Sequence, residues 1–579
     1  MLDTAVVGCT VVDGTGVPAR RADIGVRDGD IVAIAAPGGL GEKAARVIDA
    51  DGRTVIPGVV DVHTHYDAQL HWDPTCSPSP MHGVTTVISG NCGLTLAPAA
   101  PADREFLTRL LARVEAIPIE ALEAGLDFSW SSYPQLLEHM AGHGYGVNVG
   151  LMVGHASLRR AVMSEAASER AANASEVAQI QSLLAEALAA GGFGLSTATV
   201  PTQVDGDRRP TPPTYAEESE FLALAEVVGQ YAGTCLEFIP GSYLRGFSDD
   251  DVRLLAGMSA TANRHLNWNV VLVNKEDPDL HRRQLAVSDR ARAAGGRIVP
   301  LAMAQNGQLQ QDFLVGYVFR ALPGWGDLFE LEPVARAKAL GDPETRRNLA
   351  ARLEAETAGL AVTMRRAWGR FVVNEIADEK LRPLVGRSIA DIAAERGVSD
   401  FDAILDVAVA GDLRVGFVRR AYAEDDPWVR AARVEVLRDE RVVLGASDAG
   451  AHMDMMVGGD YPTRTVAELV REQGLFTFED AVRRLTDVPA RLYGLRGRGR
   501  IDVGYVADLV IVDPDEMAAT PMRTVHDLPA GASRLLSDSV GVHEVLVAGR
   551  AVVRDGAYTG DLPGRLLRSG RDSETVTAR

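Results

Sequence analysis

Cysteine is scarce in this chain, with four residues among 579. So few cannot make a disulfide framework. An apolar core has to hold the fold instead, and a reducing, cytoplasmic setting is expected. Basic residues are also in deficit. Lysine and arginine number 59 against 79 aspartates and glutamates, a formal net charge of −20, so the basic footprint of a nucleic-acid-binding surface is missing. No apolar run approaches the ~20 residues of a membrane-spanning helix. The opening Met-Leu-Asp-Thr-Ala has neither the basic nor the long apolar region of a signal peptide. Internal repeats, low-complexity tracts and long flexible linkers are absent too. What is present is a globular composition, 46% apolar, at a length that fits one large domain plus a smaller one.

The stretch from Val55 to Pro98 carries the densest chemistry. Its first half, Pro57-Gly58-Val-Val-Asp61-Val-His63-Thr-His65, is a β-branched run closing on two histidines. On a strand, residues two apart point to the same face. Its second half, His82-Gly-Val-Thr-Thr-Val-Ile-Ser-Gly-Asn91-Cys92-Gly93, closes on a cysteine. Imidazole and thiolate together suit zinc better than magnesium or calcium, which take oxygen ligands. Much later, Arg441-Val-Val-Leu-Gly-Ala-Ser447 delivers Asp448 at the end of another strand. An ordinary alternative exists for each residue: a satisfied core histidine, a buried thiol, a helix cap. The common position at strand ends favours the metal, because a barrel of parallel strands keeps its active site there.

Residues 1–56 read as short strands punctuated by Asp28-Gly29 and Asp51-Gly52, both strong hairpin signals. The same texture returns in 491–579, with Asp555-Gly556 as its last turn. These two ends predict one small β-sandwich domain built from both termini. The middle, 57–490, alternates strands and helices as a (β/α)8 barrel does. Strands are expected at 59–65, 85–91, 147–153, 193–198, 232–238, 268–273, 297–302 and 442–447. A helix is expected from Ser175 until Gly191-Gly192 stops it, and Thr214-Tyr-Ala-Glu217 reads as a capping box. Residues 303–440, between strands seven and eight, are too many for a barrel loop. They predict a mostly helical insertion over the strand C-termini.

Together these motifs resemble the amidohydrolase superfamily, and within it the branch of D-aminoacylases (N-acyl-D-amino-acid deacylases). The resemblance also runs through Val153-Gly-His155, Ser447-Asp448-Ala-Gly-Ala-His452 and the tail Tyr558-Thr-Gly-Asp-Leu-Pro-Gly-Arg565. It implies a zinc-dependent hydrolase of linear amides, with N-acyl-D-amino acids as substrates. His63, His65, Cys92 and Asp448 then surround the metal, Asp448 also serves as general base, and His155 assists at the substrate carbonyl.

The chain departs from that pattern at two strands. The branch carries two further zinc histidines, closing strand five and on strand six. Here strand five reads Gly233-Thr-Cys-Leu-Glu237-Phe and strand six His265-Leu-Asn267-Trp-Asn269-Val. Glu237 is the candidate replacement ligand, since carboxylate oxygen binds zinc well. Asn267 and Asn269 are poor zinc donors and are assigned to substrate. One tightly held zinc is therefore expected, with any second metal weak or absent. Arg245, Arg464 and His452 complete the expected substrate contacts, a guanidinium being suited to a free carboxylate. The competing readings are a cyclic-amide hydrolase of the hydantoinase type and a metal-depleted binding scaffold. A homo-oligomer is compatible with such a two-domain barrel.

Overall fold

The structure is a computed structural model that describes residues 1–304, 309–356, 364–419 and 426–578. A parallel eight-stranded barrel forms its centre. Its strands are Val59–Asp61, Val84–Ser89, Asn148–Leu151 continuing as Val153–Gly154, Gly194–Ala198, Cys235–Ile239, His265–Trp268, Arg297–Ala302 and Val443–Leu444. Strand three pairs with strand two through its first segment and with strand four through its second. A parallel bridge between Thr64 and Ala449 closes the ring from strand one to strand eight. Apart from Arg297 at the start of strand seven, these strands are buried on both faces, as parallel strands covered by helices must be. The expected helix after strand three spans Ala174–Ala189. Asn173 caps it, with Glu176 completing a capping box.

Three local expectations need correction. Strand six ends at Trp268 rather than beginning there. The β-branched run after it leaves the sheet, keeping one backbone bond from Val271 N to Leu301 O. Thr214 lies in a short 3-10 turn, and Glu217 is itself the N-cap of helix Glu218–Gly229, so no capping box forms. Asp51-Gly52 does not make a hairpin either. Ala44–Asp49 and Thr54–Pro57 both run parallel to strand Leu2–Val11 and pair with it in succession. Asp28-Gly29 and Asp555-Gly556 do join antiparallel neighbours, with left-handed backbones at both turn positions.

The two ends of the chain share one nine-stranded sheet, joined where Thr54–Pro57 pairs antiparallel with Leu509–Val512. Alternation sorts the side chains of that C-terminal strand. Leu509 and Ile511 pack with Val6, Ile24 and Ile31 inside the β domain. Val510 and Val512 pack with Val466 and Val482, from segments that follow barrel strand eight. The insertion between strands seven and eight has its own core around Phe313, Trp325, Trp368, Ile404 and Phe417. Besides helices it carries a three-stranded antiparallel sheet. It docks through Gln310 N on Met455 O and Asn374 Nδ2 on Met522 O.

Glycine is required where strands four and five meet. Gly194 has φ 142°, and a β-carbon there would lie 1.9 Å from Cys235 O. Gly194→Ala is expected to destabilise the protein by roughly 3 kcal/mol or more, the range of core overpacking. Urea unfolding should show an earlier midpoint. Gly341→Ala, whose β-carbon would meet nothing within 4 Å, should leave the midpoint where it is.

Candidate metal centre

Loops at the C-terminal ends of strands one, two and eight bring four ligand atoms together. Past strand one, His63 and His65 alternate along an extended segment, their rings edge to face at 5.3 Å. Past strand two the chain turns through left-handed conformations at Gly90, Cys92 and Gly93. At Cys92, with φ 57°, that costs roughly 1 to 3 kcal/mol and has to be held by its surroundings. Ser196 holds the loop from one side, donating to Gly90 O at 2.5 Å and accepting from Gly93 N at 3.1 Å. Glu237 holds it from another, its Oε2 accepting from Cys92 N at 3.2 Å. Past strand eight, Asp448 is again left-handed, at φ 52°.

Around the two imidazoles the spacing is close to that of zinc ligands, with the cysteine on one side and the carboxylate on another. Cys92 Sγ lies 3.7 and 3.9 Å from Nε2 of His63 and His65, and Asp448 Oδ1 lies 3.2 and 3.8 Å from the same two atoms. Tetrahedral zinc with bonds of about 2.0–2.3 Å separates its ligands by about 3.3–3.8 Å. His63, His65 and Cys92 are also the one group of three or more His, Cys, Asp or Glu residues among the described residues whose ligand atoms converge within 4.8 Å. Both histidines and Cys92 are buried, whereas Asp448 keeps 27% of its side chain exposed. The cluster is therefore reached past Asp448.

Charge around the cluster is one-sided. Burial pushes Asp61 up to about 8, Glu237 to about 8, Glu115 to about 7 and Asp67 to about 6. Burial lowers His65, but Glu115 and Asp448 outweigh it and raise the imidazole to about 9. Burial holds the Cys92 thiol well above its usual value and keeps His63 neutral. Burial would raise Asp448 as well, yet the hydrogen bonds and charge of His63 and His65 hold it far below the carboxylate range. A proton on His65 thus supplies the positive charge that this acidic pocket demands.

The other candidates separate. Asn269 reaches the cluster, its Nδ2 donating to Asp448 Oδ1 at 3.0 Å. Asn267 turns away, donating to Leu236 O and Tyr493 Oη. Glu237 supports the Cys92 backbone, and its Oε1 is buried without a hydrogen bond. His155 has both ring nitrogens engaged, Nδ1 with Thr197 Oγ1 at 3.0 Å and Nε2 with Glu220 Oε1 at 2.8 Å. Glu220 is bound in turn by the buried Arg159. No ring nitrogen of His155 is left for a carbonyl, so its place is structural. Arg464 is clasped by Asp460 at 2.6 Å, and Asp460 also accepts from Ser537 Oγ, which ties the barrel to the C-terminal segment. Arg245 stays exposed on the turn after strand five, beside Tyr243, whose hydroxyl is pushed up to about 12, by burial first and by Asp448 second. His452 lies one turn past Asp448, its N–H bonded to Glu115 O at 2.6 Å.

Three buried carboxylates were not among the candidates. Asp61 and Asp67 continue the alternation of His63 and His65, so period two alone could have flagged them. Asp61 accepts from His63 N and Asp67 from Gly90 N. Glu115, at the C-cap of helix Arg104–Val114, places Oε1 3.4 Å from His65 Nδ1. No local motif marks it.

Known proteins resemble the chain over nearly its whole length. Residues 46–553 match the family described as "Amidohydrolase family". The chain is 28% identical over 574 residues to the D-aminoacylase of Alcaligenes xylosoxydans xylosoxydans, covering 98% of this chain and 97% of that one. A solved D-aminoacylase, studied for its binuclear metal centre with one-metal activation and second-metal attenuation, is similar at TM-score 0.62 and 26% identity, covering 98% of this chain and 100% of that one. An N-acyl-D-glutamate deacylase from Bordetella bronchiseptica, complexed with zinc and a phosphonate mimic of the tetrahedral intermediate, also gives TM-score 0.62 at 26% identity and the same coverage.

Metal uptake has a testable proton count. At pH 7 His65, at about 9, and Cys92, higher still, both carry protons in the metal-free site. Ligation needs the neutral imidazole and the thiolate. Adding zinc to metal-free protein in weak buffer should release at least two protons per ion, one from each of these residues and more from the buried carboxyls around them. Because the free site holds these protons below its own pKa values, apparent affinity should rise with pH between 6 and 8. Uptake without proton release, read by a pH indicator, would contradict this assignment.

Proposed function

Since this chain belongs to the amidohydrolase family, we propose that it hydrolyses the linear amide bond of N-acyl-D-amino acids, with zinc held by His63, His65, Cys92 and Asp448. The observation that carries the reading is the convergence of His63, His65 and Cys92, with Asp448 beside both imidazoles, on a barrel whose relatives are deacylases. Zinc bound there acidifies a water molecule toward pKa about 7 and polarises the scissile carbonyl. The chain supplies the rest. Asp448 keeps Oδ2 free of hydrogen bonds among the described residues, while Oδ1 faces both histidines and accepts from Asn269. Oδ2 takes the proton of the attacking water and returns it to the leaving amine. Asn269 fixes the carboxylate plane through that transfer. Arg245, exposed beside Tyr243, captures the substrate's free carboxylate by a charge-assisted pair.

The cyclic-amide reading finds no support in the side chains that would serve it. Enzymes of the hydantoinase type hold two metals through a carboxylated lysine, and the lysine that follows strand six here, Lys275, pairs with Asp426 instead.

Asp448→Asn keeps the shape but cannot receive the proton, so turnover should fall about a hundred- to ten-thousandfold with fold and zinc content intact. Wild-type protein should cleave linear N-acyl-D-amino acids in preference to their L forms and to cyclic amides such as hydantoins. A screen of those three sets checks it, and turnover confined to cyclic amides would refute it.

The third expected outcome concerns stoichiometry. Cys92 and Glu237 alone are too few ligands for a second tight ion, because Asn267 points elsewhere and Asn269 is committed to Asp448. Titrating metal-free protein should restore full activity at about one equivalent of zinc, followed by elemental analysis. A requirement for two tight equivalents would make Glu237 the bridging ligand.

A further inference from the structure

We infer that Glu115 is a positioning residue for the metal centre: it orients His65 by holding its Nδ1, and thereby sets the affinity for zinc. This rests on the reading that His65 is a zinc ligand through Nε2. The geometry is specific. His65 Nε2 faces Cys92 Sγ and Asp448 Oδ1, and its other nitrogen faces Glu115 Oε1 at 3.4 Å. Both side chains are buried, at 2% and 3% exposure. A histidine that binds metal through one nitrogen needs a partner on the other to fix the tautomer and the ring plane, and a carboxylate there makes the imidazole a stronger donor. The Glu115 contact is ionic, since its Oε1 makes no hydrogen bond at that distance. His63 Nδ1, also buried without a hydrogen bond, has no carboxylate paired with it among the described residues. The orienting role in this pair of ligands is therefore assigned to that ionic contact.

Glu115 is also anchored so that it can perform the task. It caps helix Arg104–Val114, its N–H bonded to Leu111 O at 3.0 Å. Its carbonyl accepts from His452 N at 2.6 Å, which fastens the loop after Asp448 to the same residue. One residue from the excursion between strands two and three thus touches the ligand loop of strand one by its side chain and that of strand eight by its backbone. Replacing the side chain leaves the backbone link in place, so the two contributions are separable.

The experiment measures zinc affinity of metal-free wild type, Glu115→Gln and Glu115→Ala by competition with a chromophoric chelator, at fixed pH and salt. Thermal melts of the metal-free proteins run alongside. Glu115→Ala should bind zinc up to about a hundredfold more weakly, and Glu115→Gln, which keeps an acceptor without the charge, about tenfold more weakly. The metal-free melts should differ far less than the holo melts. Cobalt-substituted Glu115→Gln should keep its thiolate-to-metal absorption band, because Cys92 is untouched, while its ligand-field bands shift. If Glu115→Ala does not fold, Glu115→Gln alone decides. Affinities within twofold of wild type overturn the role of Glu115 while leaving the metal reading standing. Wild-type protein that binds no zinc overturns the metal reading, and this inference with it.

Discussion

The seam that closes the barrel also builds its chemistry. Strand one meets strand eight through His65 N on Ala449 O at 2.7 Å, Asp448 N on His63 O at 3.2 Å and Ser447 Oγ on His63 O at 3.0 Å. These bonds complete the ring of strands, and they also set the two imidazoles opposite the carboxylate. Closure and ligand spacing are one set of contacts, so neither can relax without the other. The cysteine loop, strained at φ 57°, is pressed into place by Ser196 and Glu237 from strands four and five. A site assembled from so many strands tolerates little rotation of any of them.

Charge explains why the site is both costly and selective. Asp61, Asp67, Glu115, Glu237 and Asp448 crowd around two histidines, with burial raising the first four. Such a group is stable only if its carboxyls keep protons or something positive sits among them. Without metal, His65 serves by keeping its proton. With metal, the ion serves better, because it satisfies the thiolate as well. Selectivity for a borderline-soft cation over calcium or magnesium follows from that thiolate and from the imidazoles.

Much of this was legible in the chain because the chemistry is locally dense. His63 and His65 alternate on one strand, Cys92 ends the next, and Asp448 ends the last. Each could be placed from its own few neighbours, and the barrel followed from repeated strand and helix patterns. What was not legible depends on distant partners. The engagement of His155 is decided by Glu220 and Arg159, which no spacing near His155 reveals. Glu115 arrives from a helix with no motif. Strand six was displaced because the β-branched residues after Trp268 look like strand but leave the sheet, and that displacement made Asn267 and Asn269 look equivalent when they face different ways.

The shared sheet also bears on how the chain is made. Thr54–Pro57, which leads directly into barrel strand one, finds its antiparallel neighbour only in Leu509–Val512. At ~15 residues per second, the last of those two strands leaves the ribosome roughly half a minute after the first. Throughout that interval the entry strand presents an open edge, the kind of surface that recruits other chains. Yield in a cell will therefore depend on how well that edge is shielded during synthesis, and truncation near the C-terminus will strike first at the N-terminal strands.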